Sequence, residues 1–146
     1  MKNISYLLLL FLGLLAASCA DNKSDDSSSL EPNSDSRDKF VAYWNVNETS
    51  ALTGPNSHTV NIVKSTTNSN EIQLNNFSGL SLSARASVNN NILTIPYQSL
   101  IPSGSINPIG FTQGTGTLTS ATSISFNYTT TIGTSRDSST AIYTKQ

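Results

Sequence analysis

Apolar and polar residues alternate along a series of short segments that runs from Phe40 to the end of the chain. The segment at 80–88 shows the pattern most clearly, because its leucines, alanines and valine share one parity while its serines and Arg85 share the other. A period of two places successive side chains on opposite faces of a strand. Since no stretch after Phe40 repeats with a helical period, the sequence predicts an all-β fold.

Eight segments fit this pattern, and most are separated by short joints rich in Gly, Asn, Ser and Thr. The candidate strands are 40–46, 58–64, 71–77, 80–88, 92–98, 115–120, 123–132 and 139–145. One link, at 99–110, is longer and contains two prolines and two glycines. Pro96 lies inside the fifth segment and lacks a backbone N–H, so we expect an edge, a bulge or a break there.

Short links between successive strands favour an up-and-down antiparallel meander. Closing such a meander removes its two exposed edges. The rival is a Greek-key sandwich, which needs long crossings between sheets, whereas only one long link is present. We therefore predict an eight-stranded antiparallel up-and-down barrel over 37–146, with an interior filled by side chains or by one small ligand.

The first residues have the layout of a secretory signal, with Lys2 ahead of an apolar run at 6–17 that is too short to span a membrane. The run ends in Ala16, Ala17 and Ser18 before the only cysteine, Cys19, and this resembles a bacterial lipobox. The resemblance implies a signal peptide at 1–18, cleavage between Ser18 and Cys19, and acylation of the Cys19 thiol and amine. An idle thiol in a removed leader is the alternative.

The segment at 19–36 is rich in Ser, Asp and Asn and almost free of apolar residues. It cannot bury enough surface to offset its ordering entropy, so we predict a disordered tether. Within it, 23–26 reads KSDD, which resembles the short acidic signals that send Bacteroidetes lipoproteins to the outer face of the outer membrane. A soluble spacer would have the same composition.

Catalytic chemistry is poorly supported in the part predicted to fold. Its charges are sparse and balanced, and the whole chain has a net charge of −1, so no basic face is expected for nucleic acid. Ser57 and His58 could form a catalytic pair, but adjacent residues of an extended chain point to opposite sides, and an exposed loop histidine is the simpler interpretation. Glu48 and Asp137 could approach each other at one end of the sheet. We predict no enzyme activity, no cofactor and no metal site.

Five aromatic residues are candidates for a ligand cavity or for the core: Trp44, Tyr97, Phe126, Tyr128 and Tyr143. Core packing is the simpler interpretation, with Trp44 closing one barrel end. The glycines of the 114–118 segment are expected to ease the curvature of their strand.

Several motifs, taken in order, resemble the calycin-like, lipocalin-like domains of small Bacteroidetes lipoproteins. They are RDKFVAYWNVNE at 37–48, NNFSGL, LTIPYQ, GTGTL, ISFNYT and the closing AIYTKQ. Ala42 replaces a glycine that is common there. Relatives often carry a cysteine after the first strand and in the last, where this chain has Thr49 or Ser50 and Ser139, so the resemblance implies a member without that disulfide.

The resemblance implies a fold and a subcellular location more than an activity, although lipocalin relatives bind apolar ligands. We predict a non-enzymatic lipoprotein, held in the outer membrane by acylated Cys19, with a binding or structural role in the envelope. Binding of a small apolar ligand inside the barrel is one version of that role. A surface module that recognises a glycan or a partner protein is the alternative.

Overall fold

The computed structural model describes residues 34–146, which form a closed barrel of eight antiparallel strands. The strands are β1 (Ala42–Ser50), β2 (Gly54–Lys64), β3 (Glu71–Phe77), β4 (Leu82–Asn89), β5 (Ile92–Pro102), β6 (Gly110–Ser120), β7 (Ser123–Ile132) and β8 (Ser135–Lys145). Within this range no helix is long and apolar enough to cross a membrane. The predicted signal peptide, its cleavage site at Ser18, the acylated Cys19 and most of the tether lie outside the described residues.

Strand order confirms the predicted up-and-down barrel and excludes the sandwich. Each strand pairs with the next along the chain, and β8 returns to pair with β1 in register from Trp44–Lys145 to Ser50–Ser139. Closure leaves no strand of the barrel without neighbours on both sides, which removes the exposed edges of an open sheet.

The core is the inward face of the predicted alternation. Its fully buried large side chains come from the turn before β1 and from every strand except β6: Phe40, Trp44, Ile62, Ile72, Leu74, Phe77, Leu82, Leu93, Ile95, Leu100, Phe126 and Tyr143. Leu80 is an exception, because β4 begins two residues later and Leu80 lies in the preceding turn with 52% of its surface exposed. The prediction that Leu80 faces the core was therefore wrong.

The predicted irregularity at Pro96 is a large bulge in β5. The β4–β5 pairing is interrupted between Ser83 and Ser87. Gln98 fills the interruption with its side chain, which accepts a hydrogen bond from the Arg85 N–H at 2.9 Å and donates one to the Arg85 carbonyl at 2.7 Å. The carboxamide thus replaces the backbone pairing that the bulge removes, since unpaired backbone groups are costly.

Next to β5, strands β6 and β7 approach each other closely. Gly116 pairs with Phe126, and a Cβ added at Gly116 would lie within 2.6 Å of the Phe126 ring. The ring therefore occupies the space that a side chain would take. This agrees with the expected role of the glycines in easing curvature.

Phe40 and Trp44 close one end of the barrel. Both side chains are fully buried, and the Trp44 indole donates a hydrogen bond to the Phe40 carbonyl at 2.8 Å. Lys145 reaches the same turn, donating to the Lys39 carbonyl at 3.2 Å. These contacts fix the chain entering β1 across the mouth of the barrel, where the sequence predicted a tryptophan plug.

A salt-bridged arginine fastens the entering chain to the β2–β3 connection. Arg37 pairs with the Asp35 carboxylate at 2.7 Å and donates to three backbone carbonyls of that connection. Lys64 adds a second ion pair to Asp35 at 3.1 Å. These contacts hold Asp35 and Arg37 against the barrel.

Candidate functional site

The end of the barrel opposite Phe40 holds a cavity of about 230 Å³. It lies among the connections at 51–53, 78–81 and 133–134, between the strand ends that they join. Its lining combines apolar rim residues with polar residues of the strands: Glu48, Leu52, Thr53, Asn56, Ser78, Leu80, Thr130, Ile132, Ser135 and Asp137. We call this space the mouth cavity.

Glu48 is the buried charge of the mouth cavity. It follows Trp44 and Val46 on the inward face of β1 and is 4% exposed. Its carboxylate accepts hydrogen bonds from the Ser78 hydroxyl at 3.2 and 3.4 Å. The nearest base is His58, whose Nε2 lies 3.9 Å from a Glu48 oxygen, too far for a hydrogen bond. A buried carboxylate would ordinarily have several strong donors.

Ser78 reaches Glu48 from a backbone conformation that L-residues seldom adopt. Its φ is 56°, in the left-handed region, and Asn76, at the irregularity near the end of β3, has a φ of 62°. Asn76 stabilises the turn by donating to the Thr59 carbonyl and accepting from the Ser81 N–H. Left-handed residues other than glycine are uncommon and cost about 1 kcal/mol or more each. The turn therefore stores strain while it aims a hydroxyl at the buried acid.

Four buried polar atoms around Glu48 have no hydrogen-bond partner among the described residues. They are Nε2 of His58, the hydroxyls of Tyr128 and Tyr143, and Oγ1 of Thr130. Thr130 lines the mouth cavity directly and is 8% exposed. Most buried polar atoms in native proteins are paired, so a cluster of unpaired ones calls for an explanation.

Burial also changes the proton affinities of these groups. It raises the pKa of Tyr128 and of Tyr143, and the neighbouring Glu48 carboxylate adds to both increases. Burial lowers the pKa of His58, although the charge of Glu48 opposes this. At neutral pH both phenols are therefore uncharged, and His58 is mainly a neutral imidazole.

The rim of the mouth cavity is acidic and apolar. Asp137 is well supported there, since its carboxylate accepts a hydrogen bond from the Ser50 hydroxyl at 2.6 Å and one from the Leu52 N–H at 3.2 Å. Leu80 and Ile132 expose 52% and 40% of their surfaces beside it. The sequence left open that Glu48 and Asp137 approach each other at one end of the sheet, with solvated charges as the simpler interpretation. Both residues line this cavity, and the simpler interpretation was wrong for Glu48, which is buried.

Four of the five aromatic candidates are buried, as core packing requires. Trp44 and Phe126 are fully buried, and Tyr143 packs its ring against Phe126 with centroids 4.7 Å apart. Tyr128 packs in the same way against Phe77 at 4.7 Å. The two tyrosines thus serve both interpretations, since their rings fill the core while their hydroxyls belong to the polar cluster around Glu48.

Tyr97 was wrongly assigned to the interior. It shares its parity with Leu93 and Ile95 in the sequence, but the bulge at Pro96 adds a residue and turns Tyr97 outward. Its side chain is 68% exposed and stacks on Phe111 of β6, with centroids 5.1 Å apart and rings 7° from parallel. We call this pair the outer aromatic stack.

The outer aromatic stack borders an open cleft of about 610 Å³ on the outside of β5 to β8. Hydroxyl and amide side chains line the cleft beside Tyr97, among them those of Gln113, Thr115, Asn127 and Thr140. Sequence reasoning missed Phe111, which falls between the predicted link at 99–110 and the candidate strand at 115–120. Only the extension of β6 back to Gly110 places it on a strand.

His58 does not lie in an exposed loop, and it does not pair with Ser57. It belongs to β2, which begins at Gly54, and its side chain is 8% exposed. Ser57 points outward and donates to the Asn47 side chain at 2.9 Å. The opposed orientations follow the expected alternation, whose inward parity runs through His58, Val60 and Ile62. That parity was the signal available for placing His58 inside.

A metal centre has no support in the described chain. Among residues 34–146 no group of three or more His, Cys, Asp or Glu side chains could hold an ion. Glu48 and His58 approach each other without a third ligand.

Comparisons with known proteins identify the fold and no family. No family model and no curated protein matches this chain. Among solved structures it is similar to a redesigned beta barrel, mFAP1, bound to DFHBI (TM-score 0.53, 18% identity, 77% of this chain and 100% of that one). It is also similar to EF1p2_mFAP2b bound to DFHBI (0.53, 16%, 77% and 100%) and to another redesigned beta barrel (0.52, 16%, 77% and 96%). At these identities the likeness shows a shared eight-stranded barrel.

Proposed function

We propose that this protein is a non-enzymatic binder of a small ligand, which enters the mouth cavity and is held by the groups around Glu48. The unpaired polar atoms carry the proposal. A barrel that only had to fold would gain by pairing these atoms or replacing them with apolar ones, because each unsatisfied buried group costs about 1–3 kcal/mol. One of these atoms, Oγ1 of Thr130, lines the mouth cavity, and the other three lie close to Glu48, which lines it too. A molecule that enters the cavity can therefore pair with Thr130 and Glu48.

Size and fold support this function. A cavity of about 230 Å³ lies just below the usual range of ligand pockets, roughly 300–1,000 Å³, so the ligand would be compact. Two of the barrels of similar fold are bound to DFHBI, so ligand binding is compatible with barrels of this size. Lipocalin-like domains, which the sequence resembles, supply the same precedent.

The ligand proposal is tested by native mass spectrometry of protein purified from its host. Wild type should carry a small molecule, and Thr130→Phe should lose it because the new ring would fill the mouth cavity. Thr131→Phe is the matched control, since Thr131 is the next residue of β7 and lies on the outward face. Retention of the molecule by Thr130→Phe, or its absence from wild type, would refute the proposal.

We place this function in the cell envelope, with the barrel tethered to the outer membrane by acylated Cys19. The leader and the lipobox-like residues support this, as does a tether too polar to pack. Two acyl chains give stable anchoring, at about 0.8 kcal/mol for each buried CH₂. Labelled palmitate should mark wild type and leave Cys19→Ala unmarked; equal labelling of both would contradict the anchor.

A second candidate function is recognition of a glycan by the outer aromatic stack. Tyr97 stacks on Phe111 and exposes an aromatic ring, and the adjoining cleft supplies hydroxyl and amide groups that can bond to sugar hydroxyls. Contiguous exposed apolar patches mark binding sites more often than single exposed residues do. On a glycan array, wild type should bind selectively and Tyr97→Ala should not, while Tyr43→Ala, which removes an exposed tyrosine from β1, should bind like wild type. An array with no selective signal would remove this candidate.

A further inference from the structure

The charge distribution of the mouth cavity indicates which class of ligand it takes. Two charged side chains line it, Glu48 and Asp137, and both are acidic. Asp137 already has an O–H and an N–H donor at 2.6 and 3.2 Å. Glu48 accepts hydrogen bonds from the Ser78 hydroxyl, and the Tyr128 hydroxyl lies close enough to Glu48 to interact with it and raise the pKa of that phenol. An ionised carboxylate offers about four acceptor positions, so these two hydroxyls leave positions on Glu48 open.

The basic side chains of the described chain do not complete Glu48. Arg37 and Lys64 pair with Asp35, and Arg85 lies near Glu71 on the outer face. Lys39 and Lys145 contact the turn at the closed end, and Arg136 lines an outer cleft beside Phe111. His58 is the nearest base, but it is 3.9 Å away and burial disfavours its charged form. A buried acid without a cationic partner is expensive, and a ligand that brought the cation would relieve that cost.

Resting on the ligand-binding function proposed above, we propose that the mouth cavity binds a small organic cation, a protonated amine on a compact apolar body. The ammonium group donates to the open positions of Glu48, and a remaining N–H can reach the unpaired oxygen of Thr130, which lines the same cavity. The apolar body lies against Leu80 and Ile132 at the rim. Hydroxyl oxygens accept hydrogen bonds, so each contact is complementary.

Carboxylate ligands are disfavoured by the same acidic lining, because they would place a second negative charge beside Glu48. Neutral alcohols can donate one hydrogen bond to Glu48 but bring no charge. Charge-assisted hydrogen bonds are roughly twice as strong as neutral ones. An amine should therefore bind about tenfold more tightly than an alcohol of the same shape.

Three probes of similar shape test this inference: benzylamine, benzyl alcohol and benzoate. Their affinities are measured by isothermal titration calorimetry with the natively processed protein at pH 7.5. Wild type should bind benzylamine about tenfold more tightly than benzyl alcohol and should not bind benzoate measurably. Glu48→Gln preserves the shape of the site and removes its charge. The variant should therefore bind benzylamine and benzyl alcohol with equal affinity. Glu71→Gln, which removes an acid from the outer face of β3, should retain the amine preference.

The outcomes separate the charge preference from ligand binding itself. Equal affinities of wild type for the amine and the alcohol would overturn the cation inference and leave ligand binding intact. Tighter binding of benzoate would do the same. Failure of all three probes, together with a ligand-free native protein, would overturn both proposals. Because wild type alone supplies the comparison among probes, the test does not depend on whether Glu48→Gln folds.

Discussion

Replacing Tyr143 with phenylalanine should make the ligand-free protein more stable. The Tyr143 ring is fully buried, and its centroid lies 4.7 Å from that of Phe126, a contact that phenylalanine would preserve. The substitution removes one atom, the hydroxyl oxygen, which has no partner within the described chain. Phenylalanine therefore keeps the packing and removes only a stranded polar group.

The expected gain follows from the cost of that hydroxyl. Burying an unpaired hydroxyl costs about 1–3 kcal/mol by protein mutational data, so Tyr143→Phe should raise the free energy of unfolding by about 1–2 kcal/mol. For a domain of this size, 1 kcal/mol moves the melting temperature by about 4–8 °C. An increase of about 4–16 °C is therefore expected, against a background in which most core substitutions destabilise.

Urea unfolding of ligand-free protein measures this gain, with fluorescence of Trp44 as the signal, since it is the only tryptophan and is fully buried. Ligand must be removed first, because anything bound to the native state adds stability of its own. Tyr43→Phe is the matched control: Tyr43 is 58% exposed, so its hydroxyl is solvated and stability should change by less than about 0.5 kcal/mol.

A destabilised Tyr143→Phe would refute the reasoning. Loss of about 1 kcal/mol would mean that the hydroxyl is already paired, for example with a buried water, because removing a satisfied hydrogen bond costs that much. The cluster around Glu48 would then be a completed network, and the case for a ligand would lose its main support.

Three further predictions concern the barrel wall and the buried histidine. In urea unfolding, Gln98→Ala should lose about 1–3 kcal/mol of stability, because two hydrogen bonds to β4 disappear. Gln113→Ala, on the outer face, should lose under about 0.5 kcal/mol. Equal losses would contradict a stabilising role of the Gln98 hydrogen bonds. Gly116→Ala should cost about 1–3 kcal/mol, since its Cβ would collide with the Phe126 ring, and an unchanged melting temperature would contradict this. Burial lowers the pKa of His58, so the unfolded chain binds its proton more readily, and stability should fall as pH drops below about 6.5. His58→Gln should flatten that slope, and parallel pH profiles of the two proteins would disprove it.

The strand content and order of the barrel could be predicted from the sequence because they depend on local signals. Alternation is a property of each segment, and short turn-rich joints leave adjacent antiparallel pairing as the simplest arrangement. Tyr97 could not be placed in this way. Its orientation depends on the bulge, and the bulge is stabilised by Gln98 bonding to Arg85 of another strand. The alternation of residues along the sequence does not predict which face a side chain occupies wherever a contact between strands decides the register.

The candidate site was partly within reach of the sequence. Extending the inward parity of β1 by one step from Val46 gives Glu48, and extending that of β2 backward from Val60 gives His58. Residue type argued against both positions, because glutamate and histidine are ordinarily solvated. The contribution of Ser78 could not be read at all, since its hydroxyl reaches Glu48 only through a left-handed turn.

The two ends of the barrel differ in a way that supports the proposed ligand-binding function. At the closed end, the Arg37 guanidinium bonds to a carboxylate and to backbone carbonyls, and the Trp44 indole bonds to Phe40. At the open end, four buried atoms lack partners, and all belong to residues grouped around one acid. Packing errors would scatter such atoms through the core. They instead lie close to Glu48, and one of them, Oγ1 of Thr130, lines the mouth cavity, as we expect of a scaffold whose polar groups are reserved for a ligand, since function commonly costs stability at the site that performs it.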